Sequence, residues 1–276
     1  IINIVLDPIM IFGLLGCPAM GISGAAAATV IGQIIAMFLA LYFNLKKNHD
    51  VSINMRGFRP DMRIIRIIYS VGLPSIIMQS ITSVMTYGMN LILISFSATA
   101  VTVLGIYFKL QSFIFMPIFG LNNGMIPIIA YNYGARSKKR IMDTAKLSIA
   151  IAISIMLLGL AVFQVFTPQL LMLFNASDSL LEMGIPALRT ISLSFLFAGY
   201  CIITGSVFQA LGNGVYSLII SVARQLLCIL PLAYVFSHVW GLNAVWFAFP
   251  MAEIISTLLT SILFKRIYNK KIRILE

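Results

Sequence analysis

Four charged side chains stand inside apolar stretches of this sequence, Asp7, Lys109, Arg224 and Glu253, with Arg189 nearer the end of its stretch. If those stretches are membrane helices, each charge costs at least ~2.5 kcal/mol at a helix centre unless it is paired or hydrated. The chemistry open to them is therefore ion pairing or reversible protonation. Arg224 and Glu253 fall on consecutive antiparallel segments, at roughly 13 Å and roughly 16 Å from the same end by helical rise. That placement predicts an ion pair, and both a structural role and a proton-coupling role remain open for it. Asp7 immediately precedes Pro8, where it either accepts hydrogen bonds from a disturbed helix or titrates.

A second set of residues is polar rather than charged. Gln79, Ser83, Thr86 and Asn90 follow i, i+4, i+7, i+11 spacing and form one stripe on an otherwise apolar segment. Tyr107 and Gln111 repeat the pattern one turn apart on the next segment, and Met78, Met85 and Met89 offer adaptable apolar contact. Such a stripe either lines a cavity for a small organic molecule or hydrogen-bonds between packed helices. Pro117 and Pro127, with Asn122, Asn123 and Gly124 between them, predict an interrupted helix whose freed carbonyls need partners.

No spacing of an enzyme centre is present. Cys17, Cys201 and Cys228 are scattered without a CxxC or CxxH pattern, which argues against a metal site or a disulfide framework. His49 sits in a loop and His238 at a helix end, and both read as solvated. There is no glycine-rich phosphate loop, GxSxG elbow or HExxH pair. No catalytic residue, bound metal or cofactor is expected.

The elements that must position these residues are eight apolar segments, at roughly 1–14, 21–45, 67–95, 101–131, 141–166, 180–211, 215–238 and 242–266. Most exceed the ~20 residues that cross hydrocarbon as a helix. Hydrophobic residues make up 60% of the chain and charged residues 10%, with a mean hydropathy of +1.00. That composition excludes a soluble globule of this size and predicts an all-α polytopic bundle in a lipid bilayer. The first segment is short and the chain opens on Ile-Ile-Asn, so the expectation is a fragment that lacks an N-terminal part. Between the fifth and sixth segments, Pro168 to Phe174 is expected along the outer interface, and Ser179 with Glu182 has capping-box spacing for a helix restart.

The net charge of +11 invites a nucleic-acid reading, which the positions of the basic residues exclude. Apart from Lys109, Arg189 and Arg224, all of them lie in three patches: Lys46 to Arg66, Arg136 to Lys146, and Lys265 to Arg273. Each patch follows an even-numbered segment, as the positive-inside rule requires of cytoplasmic loops. The C-terminus is accordingly expected in the cytoplasm.

The second and eighth segments align without a gap at an offset of 220 residues, GISGAAAATVIGQIIAMFLALYFNLK against GLNAVWFAFPMAEIISTLLTSILFKR. Gly21 meets Gly241, Ala28 meets Ala248, Gly32 meets Ala252 and Gln33 meets Glu253, and small residues at 21, 25, 28 and 32 share one face suited to close packing. Each follows a segment with an internal proline, Pro8 or Pro231. Repeats of the same sense imply a pseudo-two-fold along the membrane normal and two lobes around a central site. The expected organisation is the tail of an N-terminal lobe at 1–45, a basic linker at 46–66, a complete six-helix lobe at 67–266 and a cytoplasmic tail at 267–276.

The strings NIVLDPIMIFG, GISGAAAATVIGQ, GLPSIIMQS, GIYFKLQSFIFMP, PIIAYNYGARSKKR, FQALGNG and SVARQLLCILPLAYV resemble, in order, the MATE (multidrug and toxic compound extrusion) transporters, particularly a bacterial branch. The resemblance implies that the chain spans that family's helices 5 to 12 and sits in a bacterial cytoplasmic membrane. It further implies secondary active antiport by alternating access, exporting small organic, often cationic, compounds in exchange for protons or sodium ions. One branch of the family carries its coupling aspartate on the first helix, outside this chain, and another places acids on the seventh and tenth. Here 67–95 has Gln79 and Thr82 but no acid after Asp61, and Pro186 to Gly212 has none, so coupling through this lobe alone is not expected. Two alternatives stand beside this reading. A lipid-linked glycan flippase of a related superfamily would use a more cationic cavity, to which Lys109, Arg189 and Arg224 are suited. The other is a truncated membrane protein that does not transport.

Overall fold

The computed structural model describes residues 2–47 and 59–275, without the side chains at 67, 70 and 71. His49 and most of the basic linker at 46–66 lie outside the described residues. No strand occurs among the described residues, and the chain divides into two compact units, Ile1–Met62 and Arg63–Glu276.

In the first unit, α1 (Ile2–Phe12) packs along α2 (Ile22–Lys47). The turn between them uses left-handed backbone at Gly13, Gly16 and Gly21, which glycine adopts without a steric penalty. The buried positions of α2 are Gly24, Ala28 and Gly32, so the small-residue face is set by 24 rather than by 21 and 25. A side chain at Gly24 would run into the Met10 carbonyl of α1.

The second unit opens with three long helices, α3 (Met62–Ile94), α4 (Ala98–Gly134) and α5 (Lys138–Val165). A six-residue helix α6 (Thr167–Met172) leads into α7 (Asp178–Ser192) and α8 (Phe195–Ala210), which meet at a 49° bend. The next span runs from α9 (Gly214–Val222) through π-helical turns at Ala223–Ile229 into α10 (Leu230–Val239). A short α11 (Leu242–Val245) precedes α12 (Ala248–Ile267), extended by π turns at Tyr268–Ile272. Among the described residues of both units, six spans are long and apolar enough to cross a membrane, and the bent α7–α8 pair makes a seventh if it is taken as one span. The chain is thus a multi-pass helical membrane protein.

Local chemistry accounts for several boundaries. Ser97 caps α4 by accepting a hydrogen bond from the Ala100 N–H at 3.1 Å. α8 ends where Gly212 turns left-handed (φ 73°), with Asn213 N–H donating to Phe208 O and Gly212 N–H to Gln209 O. That is the Schellman pattern. The end of α4 uses the same pattern, Ser137 N–H to Asn132 O and Arg136 N–H to Tyr133 O, with Arg136 rather than glycine in the left-handed position (φ 54°).

Two expectations are corrected. α4 is not interrupted by Pro117 and Pro127 but continues as one helix of 37 residues. α7 begins at Asp178 after Ser177, with Ser179 already inside it, so Ser179 and Glu182 form no capping box. The Ser177 and Ser179 hydroxyls instead lie 3.1 Å apart.

The core of this unit is aromatic and tightly crossed. Tyr107 of α4 touches the rings of Phe163 and Phe249 at centroid distances of 6.4 and 6.0 Å, and Phe163 reaches Phe195 at 5.3 Å. At the α5–α8 crossing, a Cβ on Gly199 would lie 3.1 Å from the Ala152 carbonyl. α12 is buried through Ala248, Ala252, Ser256 and Thr260, a four-residue repeat whose first two members are the counterparts of Ala28 and Gly32 at the 220-residue offset.

Candidate functional site

The π-helical turns place Arg224 and Gln225 opposite α12. A π turn adds a residue per hydrogen-bonded ring and widens the helix. Here it comes just before Pro231, whose ring would clash with the carbonyl four residues back in regular α geometry. From this widened stretch, Arg224 Nη1 reaches Glu253 at 3.2 Å to Oε2 and 3.5 Å to Oε1. The Glu253 side chain is 6% exposed and that of Arg224 is 28% exposed. The carboxylate is therefore the buried partner and the guanidinium the one that reaches open space.

Two chambers meet at Arg224. The larger, ≈ 490 Å³, is walled by Tyr107, Phe108, Gln111, Ser112, Phe115 and Met116 of α4, with Gln79, Thr82 and Met85 of α3 at one side. Ser194, Gln225, Phe249, Glu253 and Arg224 complete its polar and aromatic lining. The lining carries one cation and one anion, already paired, so it presents a local dipole with no net charge. The smaller, ≈ 360 Å³, shares Arg224, Phe119 and Ile202, and its remaining lining mixes apolar groups such as Met78, Ile126 and Ile220 with amides and hydroxyls, among them Asn122, Gln209, Ser221 and Ser256.

Gln79, Tyr107, Gln111, Arg224 and Glu253 converge on the larger chamber. Ser83, Thr86 and Asn90 do not line either chamber: Ser83 is exposed, and the Thr86 hydroxyl donates to Thr82 O at 2.9 Å. Lys109 is exposed on α4 with its ammonium 5.9 Å from the centre of the Phe174 ring, outside both chambers. Arg189 is likewise exposed and outside them. Asp7 belongs to the first unit, where its Oδ1 is buried without a hydrogen-bond partner. His238 is held locally, by Tyr234 O at 2.9 Å and Ser237 Oγ at 3.0 Å.

Sequence reasoning missed Thr82, Ser112, Ser194 and Gln225 as lining residues. Thr82 and Ser112 follow from the helical faces of Gln79 and Phe108, but Ser194 sits at the α7–α8 bend, which no spacing announces. Gln225 follows Arg224 in sequence, and only the π turn brings both to the larger chamber.

The family model MatE matches residues 74–235, which is more than half of the chain. The multidrug export protein MepA of Staphylococcus haemolyticus is 30% identical over 270 residues, 98% of this chain and 58% of that protein. The MepA of Staphylococcus aureus strain N315 is 30% identical over 254 residues, 91% of this chain and 54% of that protein. Among solved structures, an outward-facing multidrug resistance MATE family transporter of the MOP superfamily superposes with a TM-score of 0.86. It is 28% identical and covers 98% of this chain and 60% of that one. A MOP superfamily transporter from Pyrococcus furiosus gives 0.84 at 29% identity, over 96% of this chain and 60% of that one. The chain spans a little over half the length of the curated relatives it matches.

Proposed function

Because the chain belongs to the MatE family, we propose that it supplies one wall of the transport path in a secondary active antiporter that exports small organic compounds by alternating access. The observation that carries this reading is the ≈ 490 Å³ chamber with aromatic, methionine and amide lining around a neutralised ion pair. A cavity of that size and mixed lining suits amphipathic molecules of varied shape. Methionine and phenylalanine adapt to different ring systems, and Gln79 and Gln111 supply orientation without fixing a charge. Cationic cargo remains compatible, through ring faces.

The Arg224–Glu253 pair is structural in this reading, and the exchange of protons or sodium ions is driven elsewhere in the transporter. Among the described residues, the paired carboxylate of Glu253 is the only acid lining either chamber. The export reading also fits the charge of the lining better than the glycan-flippase reading does: Lys109 and Arg189 stay outside, leaving one arginine for phosphates. In this account the basic patches face the cytoplasm of a bacterial plasma membrane, with the C-terminus on the same side.

The test is accumulation of a fluorescent organic cation in cells expressing the complete reading frame that carries this chain, with and without a protonophore. The expected result is lower accumulation that the protonophore abolishes. Unchanged accumulation, with the protein shown in the membrane, would overturn export of organic cations.

A further inference from the structure

The smaller chamber has no part in the cargo path just described, and its charge differs from that of the larger one. Arg224 lines both, whereas Glu253 lines only the larger, and among the described residues no carboxylate lines the smaller. A guanidinium carries five N–H donors. Both hydrogen bonds that Arg224 makes to described residues run from Nη1 to Glu253, so its remaining edge is left to whatever fills the space.

The chamber wall also holds polar atoms that need an occupant. Asn122 is 7% exposed and Ser256 is 1% exposed, and Asn122 Oδ1 and Ser256 Oγ are buried without any hydrogen-bond partner. Leaving such an atom unmade costs about 1–3 kcal/mol, so a polar occupant is favoured over an empty or lipid-filled space. A volume of ≈ 360 Å³ holds about a dozen waters at ~30 Å³ each, or a small anion with part of its hydration. Water alone satisfies the amide and the hydroxyl. The open edge of an arginine, in a space with no carboxylate and several neutral donors, favours an anion whose oxygens match the guanidinium fork.

We infer that this chamber is a binding site for a small oxyanion of the carboxylate, sulfate or phosphate class, held by Arg224 with hydroxyl donors from Ser221 and Ser256, while Asn122 Oδ1 accepts from the water that accompanies it. The site is separate from the cargo chamber and shares only the arginine's charge with it. Occupancy therefore competes with Glu253 for the same guanidinium. A free oxyanion and the phosphate of a lipid headgroup share this chemistry.

The experiment is saturation binding of radiolabelled sulfate to the complete protein, purified in a neutral detergent and normalised to folded monodisperse material. Saturable binding is expected. Glu253→Gln frees the second donor set and should tighten binding about tenfold, the worth of one charge-assisted hydrogen bond. The paired Arg224→Gln/Glu253→Gln variant should lose at least about tenfold in affinity, because it removes the cation while sparing the fold an uncompensated charge. Ser221→Asp puts a carboxylate into the chamber one turn from Arg224, where it repels an anion and competes for the open edge of the guanidinium, and it should abolish binding even if the other variants fold poorly. Repeating the measurement in nanodiscs of phosphatidylcholine, with and without phosphatidylglycerol, identifies the source. Displacement by phosphatidylglycerol assigns the site to a lipid phosphate, and undisturbed sulfate binding assigns it to a soluble oxyanion. No saturable sulfate binding to the unaltered protein, or binding that Ser221→Asp and the double variant leave unchanged, would overturn the proposal. Cation export can fail its own test without touching this result.

Discussion

Arg224 belongs to two chambers because one face of its guanidinium is pinned and the other is not. Its partner Glu253 is the more buried of the two, so removing either residue leaves a different problem. Arg224→Gln strands a carboxylate that is 6% exposed, whereas Glu253→Gln strands a cation that already reaches open space. Breaking a buried pair from one side costs about 3–5 kcal/mol, and less where the stranded charge can hydrate. Thermal unfolding of the purified protein should therefore show a larger loss for Arg224→Gln than for Glu253→Gln, with the double variant recovering most of it. A structural role also predicts that Glu253→Gln lowers abundance more than export per molecule. Normal abundance with lost export would assign the pair to coupling instead. On the cargo side, Gln111→Leu should change the rank order of exported compounds while leaving abundance unchanged, since it alters one half-buried group on the larger chamber.

At the scale of the helix, two backbone features carry predictions. Gly199 lets α8 approach the backbone of α5, where an added Cβ would lie 3.1 Å from the Ala152 carbonyl. Gly199→Val should force these helices apart and lower the yield of folded protein several-fold, read by fluorescence size exclusion. Arg136 holds the left-handed position that ends α4, at φ 54°, a conformation that costs a non-glycine residue about 1 kcal/mol. Arg136→Gly should raise the melting temperature by a few degrees, and an unchanged or lower value would show that the arginine side chain compensates. The polar stripe of α3 makes the complementary point. Its spacing was legible in the sequence, but its rotation was not. The buried ridge is Ile81, Met85, Met89 and Leu93, set about 110° round the helix from the Gln79–Asn90 stripe at ~100° per residue. Of the described polar residues of α3, Gln79, at the margin, and Thr82, on the seam, reach the larger chamber, beside Met85 of the ridge.

Over the whole molecule, two of the three basic clusters, Arg136 to Lys146 and Lys265 to Arg273, meet at one end of the second unit. Lys271 donates from Nζ to Leu211 O at 2.7 Å and lies over the Tyr133 ring, and Lys138 lies over the ring of Tyr268. The two most specific strings of the sequence, YNYGA and FQALGNG, are thereby tied to the C-terminal turns as helix ends. A single cysteine at Lys139 or Lys270 should react with an impermeant thiol reagent in inside-out vesicles and not in intact cells, which tests the orientation drawn from the charge pattern. The reverse labelling would invert it.

The sequence by itself determined which stretches become helices, because hydrocarbon demands long apolar runs with every backbone group bonded internally. It also determined the family, through strings that mark helix ends and turns, and it brought Arg224 and Glu253 to a common depth by counting residues. Proline was the weaker signal. Within α4, Pro117 and Pro127 leave one continuous helix, and Pro231 coincides with a π segment rather than a break. Tertiary structure alone decided helix rotation, the bend that delivers Ser194, and the division of one polar region into a chamber with a carboxylate and a chamber without. The physical reason is that helical periodicity fixes angles within an element, whereas the azimuth of each helix is set by contacts with neighbours far away in sequence.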